Sequence, residues 1–202
     1  MLSKISFSLI VLTLFLSISA TAQKGSWYVG GQVGFNVQTQ KITGLPDVNT
    51  SSWNIAPEVG TFLQKNLQLG LALNLGGSHS DAVGSTPSIT TTAWSPVIYL
   101  RQFYPVGDKF SIFTGLVGNF TVGSNSSNGA SGSVDGWGLH LSLGAAFAVS
   151  KTFTVVGQYG LFGYSYSSAT LNGNKNSISN FGLNVNSLGP VFNVGLYWTF
   201  KE

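Results

Sequence analysis

Residues 67–77, LQLGLALNLGG, put Leu67, Leu69, Leu71, Leu73 and Leu75 on one side of a two-residue period and Gln68, Gly70, Ala72 and Asn74 on the other. A period of two marks a β-strand with unlike faces. If the leucines filled a soluble core, the opposite face would be expected to carry charge, but here it is small and amide-bearing. The same alternation predicts strands over 26–38, 52–64, 67–78, 91–104, 110–122, 136–149, 153–165 and 187–200. Their number is even, and each is long enough for the 9–11 residues that a tilted strand needs to cross a bilayer.

The connections alternate in kind. Gln64-Lys65-Asn66, Pro105–Lys109 and Ser150-Lys151-Thr152 are short, and each holds a lysine. The segments 39–51, 79–90, 123–135 and 166–186 are longer and rich in Ser, Asn, Thr and Gly, with SNSSNGASGS at 124–133 close to linker chemistry. Short turns at one end and long loops at the other predict an all-β, eight-stranded antiparallel up-and-down transmembrane barrel with both mature termini on the short-turn side.

Parity then separates the faces. If the apolar face is odd in the first three strands, even in the fourth and fifth, odd in the sixth and seventh and even in the eighth, all five tryptophans fall on it. Trp27 and Trp198 lie near the turn-side ends, and Trp53, Trp94 and Trp137 near the loop side. Indole rings favour a membrane–water interface, which suits both their apolar body and their N–H donor. Phe110, Phe153 and Phe200 extend the turn-side girdle. The opposite face carries Glu58, Arg101 and His140, with Gln32, Asn36, Gln38, Asn54, Gln68, Asn74, Asn119, Gln158 and Asn193. Gln102 departs from the rule beside a turn. The leucines are therefore expected to face lipid. Pro57, Pro96 and Pro190 interrupt predicted strands, which points to bulges or to different strand limits on the loop side.

Composition agrees with this placement. Charged residues are 7% of the 202, against about 25% in ordinary globular proteins, and mean hydropathy is +0.25. The rival arrangement, a soluble barrel or sandwich with the leucines inside, would need a solvent face poor in charge and rich in glycine. Met1–Lys4, the apolar stretch Ile5–Ile18 and Ala20-Thr21-Ala22 read as a secretory signal peptide over 1–22 with cleavage after Ala22, leaving a single barrel domain over 23–202. An uncleaved anchor is the alternative. With no cysteine there is neither a lipoprotein anchor nor a disulfide scaffold. The lysines are scattered, which argues against a nucleic-acid groove.

The chain ends NVGLYWTFKE, in which Asn193, Gly195, Trp198 and Phe200 resemble the C-terminal signal read by the barrel-assembly machinery; Lys201-Glu202 after the phenylalanine departs from it. RQFYPVGDKFSIFTGL at 101–116 resembles the strand–turn–strand of small outer-membrane β-barrel proteins, the OmpA-barrel and OmpX type in its Bacteroidetes form. The resemblance covers the mature chain, without the peptidoglycan-binding domain of full-length OmpA. It implies an outer-membrane location in a Gram-negative cell. The implied partners are outer-membrane lipid, lipopolysaccharide and, during biogenesis, the assembly machinery; the barrel is expected to be a monomer.

An eight-stranded barrel is just wide enough for side chains to fill. Inward Tyr28, Phe62, Tyr99, Phe103, Phe113, Phe162 and Tyr197 are expected to occupy the lumen, and Glu58 and Arg101 to pair across it. His140 reads as a hydrogen-bonded lumen residue. Function is expected to be structural or surface-interacting through the four loops, without catalysis or cofactor. Two alternatives stand beside it: a narrow pore for small solutes, and a lipid A-modifying enzyme. The enzyme reading rests on SHSDA at 78–82, where His79 near Ser80 and Asp81 could act as general base at the outer rim. His79 and Asp81 alone do not make a zinc site, and VGGQVG at 29–34 lacks the following helix of a nucleotide loop.

Overall fold

A computed structural model describes residues 26–41, 47–82, 86–127, 130–171, 173–183 and 193–200. The predicted signal peptide, Pro190 and Lys201-Glu202 lie outside them. Among the described residues the structure is all strand: β1 (Trp27–Gln40), β2 (Val48–Gln64), β3 (Leu67–Ala82), β4 (Thr86–Pro105), β5 (Phe110–Ser127), β6 (Ala130–Ala148), β7 (Phe153–Leu171), β8 (Asn174–Leu183) and β9 (Asn193–Phe200). Every pairing is antiparallel. Sequential strands pair from β1 to β7, β7 pairs with β9, and β9 returns to β1, for example through Trp27↔Phe200. The ladders thus close a ring of eight wall strands.

The ninth strand, β8, departs from the sequence expectation, which assigned 166–186 to a loop. It pairs with the loop-side half of β7, Phe162–Leu171, while β9 pairs with the turn-side part, Phe153–Gln158. Both run antiparallel to β7, so they are successive pieces of the eighth wall position. Residues 172–173 join β7 to β8, and Gly173 has φ 78°, a left-handed conformation that only glycine adopts without cost. Asn172-Gly173, like Asn128-Gly129, is a strong short hairpin signal, and it lies inside the segment read as loop.

The other long loops contract in the same way. Their expected spans are largely strand: 48–51 belongs to β2, 79–82 to β3, 86–90 to β4, 123–127 to β5 and 130–135 to β6. Hydroxyl-bearing and amide side chains do not exclude strand when a neighbouring strand accepts the ladder, as Ser124↔Ser133 and Asn125↔Gly132 do. The sheet therefore continues well past the outer tryptophans. β4 reaches Thr86, eight residues beyond Trp94, or about 26 Å of extended chain at ~3.3 Å per residue.

Pro57 and Pro96 do not mark register shifts. β2 and β3 keep one register on both sides of an interruption at Ala56 and Pro57, and β4 and β5 do so around Ser95 and Pro96. Each proline keeps its place opposite its other neighbour, Gly31↔Pro57 and Leu73↔Pro96. Losing one donor breaks a ladder toward one side only. A true irregularity occurs between Leu141 and Ser142 opposite β7, where Phe162 and Gly160 are paired and Leu161 is passed over. That extra residue reverses the parity of β7. Phe162, expected in the lumen, is 38% exposed and packs against Phe181 with ring centroids 5.0 Å apart.

The two faces of the wall are unlike. Outside, Leu71, Leu73, Leu75, Ile98, Leu100, Leu116, Leu139, Leu141 and Leu143 are all exposed. Inside, the packed cluster consists of Tyr28, Tyr99, Phe113, Val117, Ala146, Val156 and Tyr197, with Phe62 and Phe103 against it. Inward glycines make room for these rings. A Cβ at Gly70 would collide with the Tyr28 and Tyr99 hydroxyl ends, and one at Gly144 with the Phe113 ring. The core is thus in the turn-side part of the lumen.

Leu71→Arg places a charge on the outer face near mid-span and should cost about 2–4 kcal/mol of folding free energy in lipid vesicles, measured by denaturant titration. Ser124→Arg, on the same face but beyond the Trp94 level, should change it little.

Candidate functional site

At the level of the inner cluster, one polar network crosses the lumen. Glu58, on β2, is 6% exposed, and Arg101, on β4, is 1% exposed. Arg101 Nη1 lies 3.5 Å from Glu58 Oε2. The carboxylate also accepts from Tyr99 Oη at 2.6 Å, from Tyr197 Oη at 2.7 Å and from Gln32 Nε2. Because the single proton of Tyr99 goes to Glu58, Tyr28 must be the donor in the hydrogen bond between the Tyr28 and Tyr99 hydroxyls.

The guanidinium is held from several strands. Nη1 donates to Gln68 Oε1 at 3.3 Å and to Tyr197 Oη at 3.1 Å, and Nη2 donates to Gln158 Oε1 at 2.9 Å. Gln158 Nε2 donates in turn to Gln32 Oε1 at 3.1 Å, and Gln32 Nε2 reaches Tyr197 Oη at 2.9 Å. The Arg101 Cζ sits 3.8 Å from the Tyr99 ring centroid, a cation–π distance. The network draws on β1, β2, β3, β4, β7 and β9, and Phe113 of β5 with Ala146 of β6 completes the circumference at this level. A buried carboxylate and guanidinium need such partners, since an isolated charge in a low-dielectric interior is costly.

Parity alone makes Glu58, Arg101 and the inward aromatics legible as lumen groups. It does not reveal that the three tyrosines and Gln32, Gln68 and Gln158 bond to the charged pair, because that depends on which strands face one another across the ring. His140, half-buried on β6 beside Val117 and Gly163, makes no bond to this network.

The five tryptophans stand on the outer face, each between 49% and 51% exposed. At the turn side Trp27 is paired with Phe200 and Trp198 with Phe153. At the loop side Trp94 is opposite Leu75, and the Trp137 ring lies 5.0 Å from that of Tyr164. Gly195 of the C-terminal motif faces inward and is paired with Gln32.

The SHSDA segment does not assemble a serine–histidine pair. His79 Nε2 contacts Asp81 Oδ2 at 2.8 Å, and its Nδ1 contacts Thr90 Oγ1 at 2.9 Å, all on the exposed outer face. Ser80 points to the other face and bonds Thr50 at 3.0 Å. Among the described residues no group of three or more His, Cys, Asp or Glu could hold a metal ion.

Comparison with known proteins places this architecture. Among solved structures, OprG of Pseudomonas aeruginosa aligns with TM-score 0.52 and 15% identity over 89% of this chain and 97% of its own. The Neisserial surface protein NspA aligns with TM-score 0.48 and 15% identity over 87% and 97%. Ail, the attachment invasion locus protein of Yersinia pestis, aligns with TM-score 0.41 and 13% identity over 88% and 97%. No curated protein sequence matches. The sequence matches the outer membrane protein beta-barrel domain over residues 8–187. With its closed ring, apolar exterior and polar interior, the chain belongs to that family of Gram-negative outer-membrane barrels.

Proposed function

We propose that this protein is a non-conducting outer-membrane barrel that acts at the cell surface through the rigid β-hairpins beyond its outer tryptophans, without catalysing a reaction. The observation that carries the reading is the network around Glu58 and Arg101. It occupies the lumen with side chains from six wall strands, and the aromatic cluster fills the space around it. A general solute path through the barrel would have to break several mutually supporting hydrogen bonds at once.

The hairpins support the surface role. β1–β2, β3–β4, β5–β6 and β7–β8 continue the sheet past the membrane band with Ser, Thr and Asn side chains, such as Thr50, Ser80, Thr90, Thr92 and Ser124. Recognition groups on a rigid scaffold bind without the ordering cost of a flexible loop. The catalytic alternative loses its motif, since Ser80 and His79 face opposite sides of β3.

In planar bilayers the wild-type protein should give no steady single-channel steps, whereas Tyr28→Ala/Arg101→Ala/Tyr197→Ala should. Sustained conductance by the wild type would overturn the reading. Arg101→Met leaves Glu58 buried without its cation and should cost about 3–5 kcal/mol, read as a lowered unfolding midpoint. Glu58→Gln/Arg101→Met should recover part of that loss, because no unpaired charge remains.

A further inference from the structure

Below the network, at the short-turn end, the barrel mouth is a well. Its cavity of 210 Å³ is many times the ~10–15 Å³ that a single water needs on the same measure, which leaves room for a short chain. Tyr28, Phe62, Phe103 and Tyr197 line its apolar interior, and Lys65, Asp108 and Lys109 line its rim. Gln68, the second residue of β3, also lines the well and lies at its floor.

The rim is electrostatically one-sided. Lys65 belongs to the β2–β3 turn and Lys109 to the β4–β5 turn, and among the described residues neither is ion-paired. Two lysines against Asp108 leave one formal positive charge over an aromatic well. A ligand matched to it carries a single negative charge at one end and a short apolar body at the other. A dianionic phosphate costs more to strip of water against the aromatic rings than a carboxylate does.

We propose that this mouth is a binding site for short acyl carboxylates, with the carboxylate at Lys65 and Lys109 and the chain lying among the four rings. In the topology of such barrels the short turns face the periplasm, so the ligand would be captured from that side. The network forms its floor, and the site does not depend on the barrel's being non-conducting. Binding at the rim should weaken with salt, because exposed charges are screened.

The test is titration of hexanoate, by calorimetry, into the full-length mature protein in phosphatidylcholine nanodiscs, with empty nanodiscs as background. Folding of each variant is checked by its heat-dependent gel migration. Saturable one-to-one binding is expected, weakened tenfold or more by Lys65→Gln/Lys109→Gln and abolished by Ala148→Trp, because Ala148 lines the well and an indole there would fill it. Hexylammonium should not bind, and hexyl phosphate should bind more weakly than hexanoate. Unsaturable uptake equal to that of empty nanodiscs would overturn the proposal. So would unchanged affinity in the lysine double variant, or tighter binding of hexyl phosphate.

Discussion

Hydrocarbon offers no hydrogen bonds, so a chain that crosses it must satisfy its own backbone. A β-chain can do so only by closing on itself. In this protein closure is made where β9 lies between β7 and β1, through pairs such as Val29↔Trp198 and Phe153↔Trp198. Much else follows from that ring. It fixes an inside and an outside, and the pleat sends alternate residues to each. It also explains why the prolines are tolerated: Pro57 and Pro96 each lose pairing toward one neighbour while the register and the other ladder persist.

A narrow ring creates a second requirement, since its interior is neither water nor lipid. Polar side chains pointing inward must find partners among themselves. Glu58 is surrounded by two tyrosine hydroxyls, a glutamine amide and a guanidinium, while the aromatic rings fill the remaining volume. Inward glycines belong to the same packing, because rings laid across Gly70 and Gly144 leave no place for a Cβ. The charged pair and the small residues are two sides of one solution: bulk and charge concentrate at a few positions, and the facing positions are emptied to receive them.

The outer ends obey a different rule. Beyond the tryptophans water can satisfy the backbone, so the sheet is no longer obligatory there. It nevertheless continues, with hydroxyl-bearing faces and tight connections such as the one at Gly173. This turns what composition suggests is slack chain into fixed hairpins, and it gives the cell-surface side a defined shape. The short-turn side is shaped instead by its lysines and by the aromatic underside of the network.

The sequence by itself determined the facing of most of the wall. Alternation is local, and the contrast between leucine and amide, with tryptophans at strand ends, needs no knowledge of which strands are neighbours. It located the turns, the Glu58 and Arg101 side of the wall and the resemblance to small outer-membrane barrels, which the family match over 8–187 bears out. Tertiary structure alone decided what depends on partners distant in the chain. The outer segments are strand because a neighbour pairs with them, although Ser, Asn and Gly favour loops when judged locally. One unmatched residue at Leu161 reverses parity and moves Phe162 from lumen to exterior. The tyrosines and glutamines became ligands of a buried ion pair only when the ring brought β1, β4, β7 and β9 face to face, because register across a closed sheet is a property of the whole circuit and not of any strand.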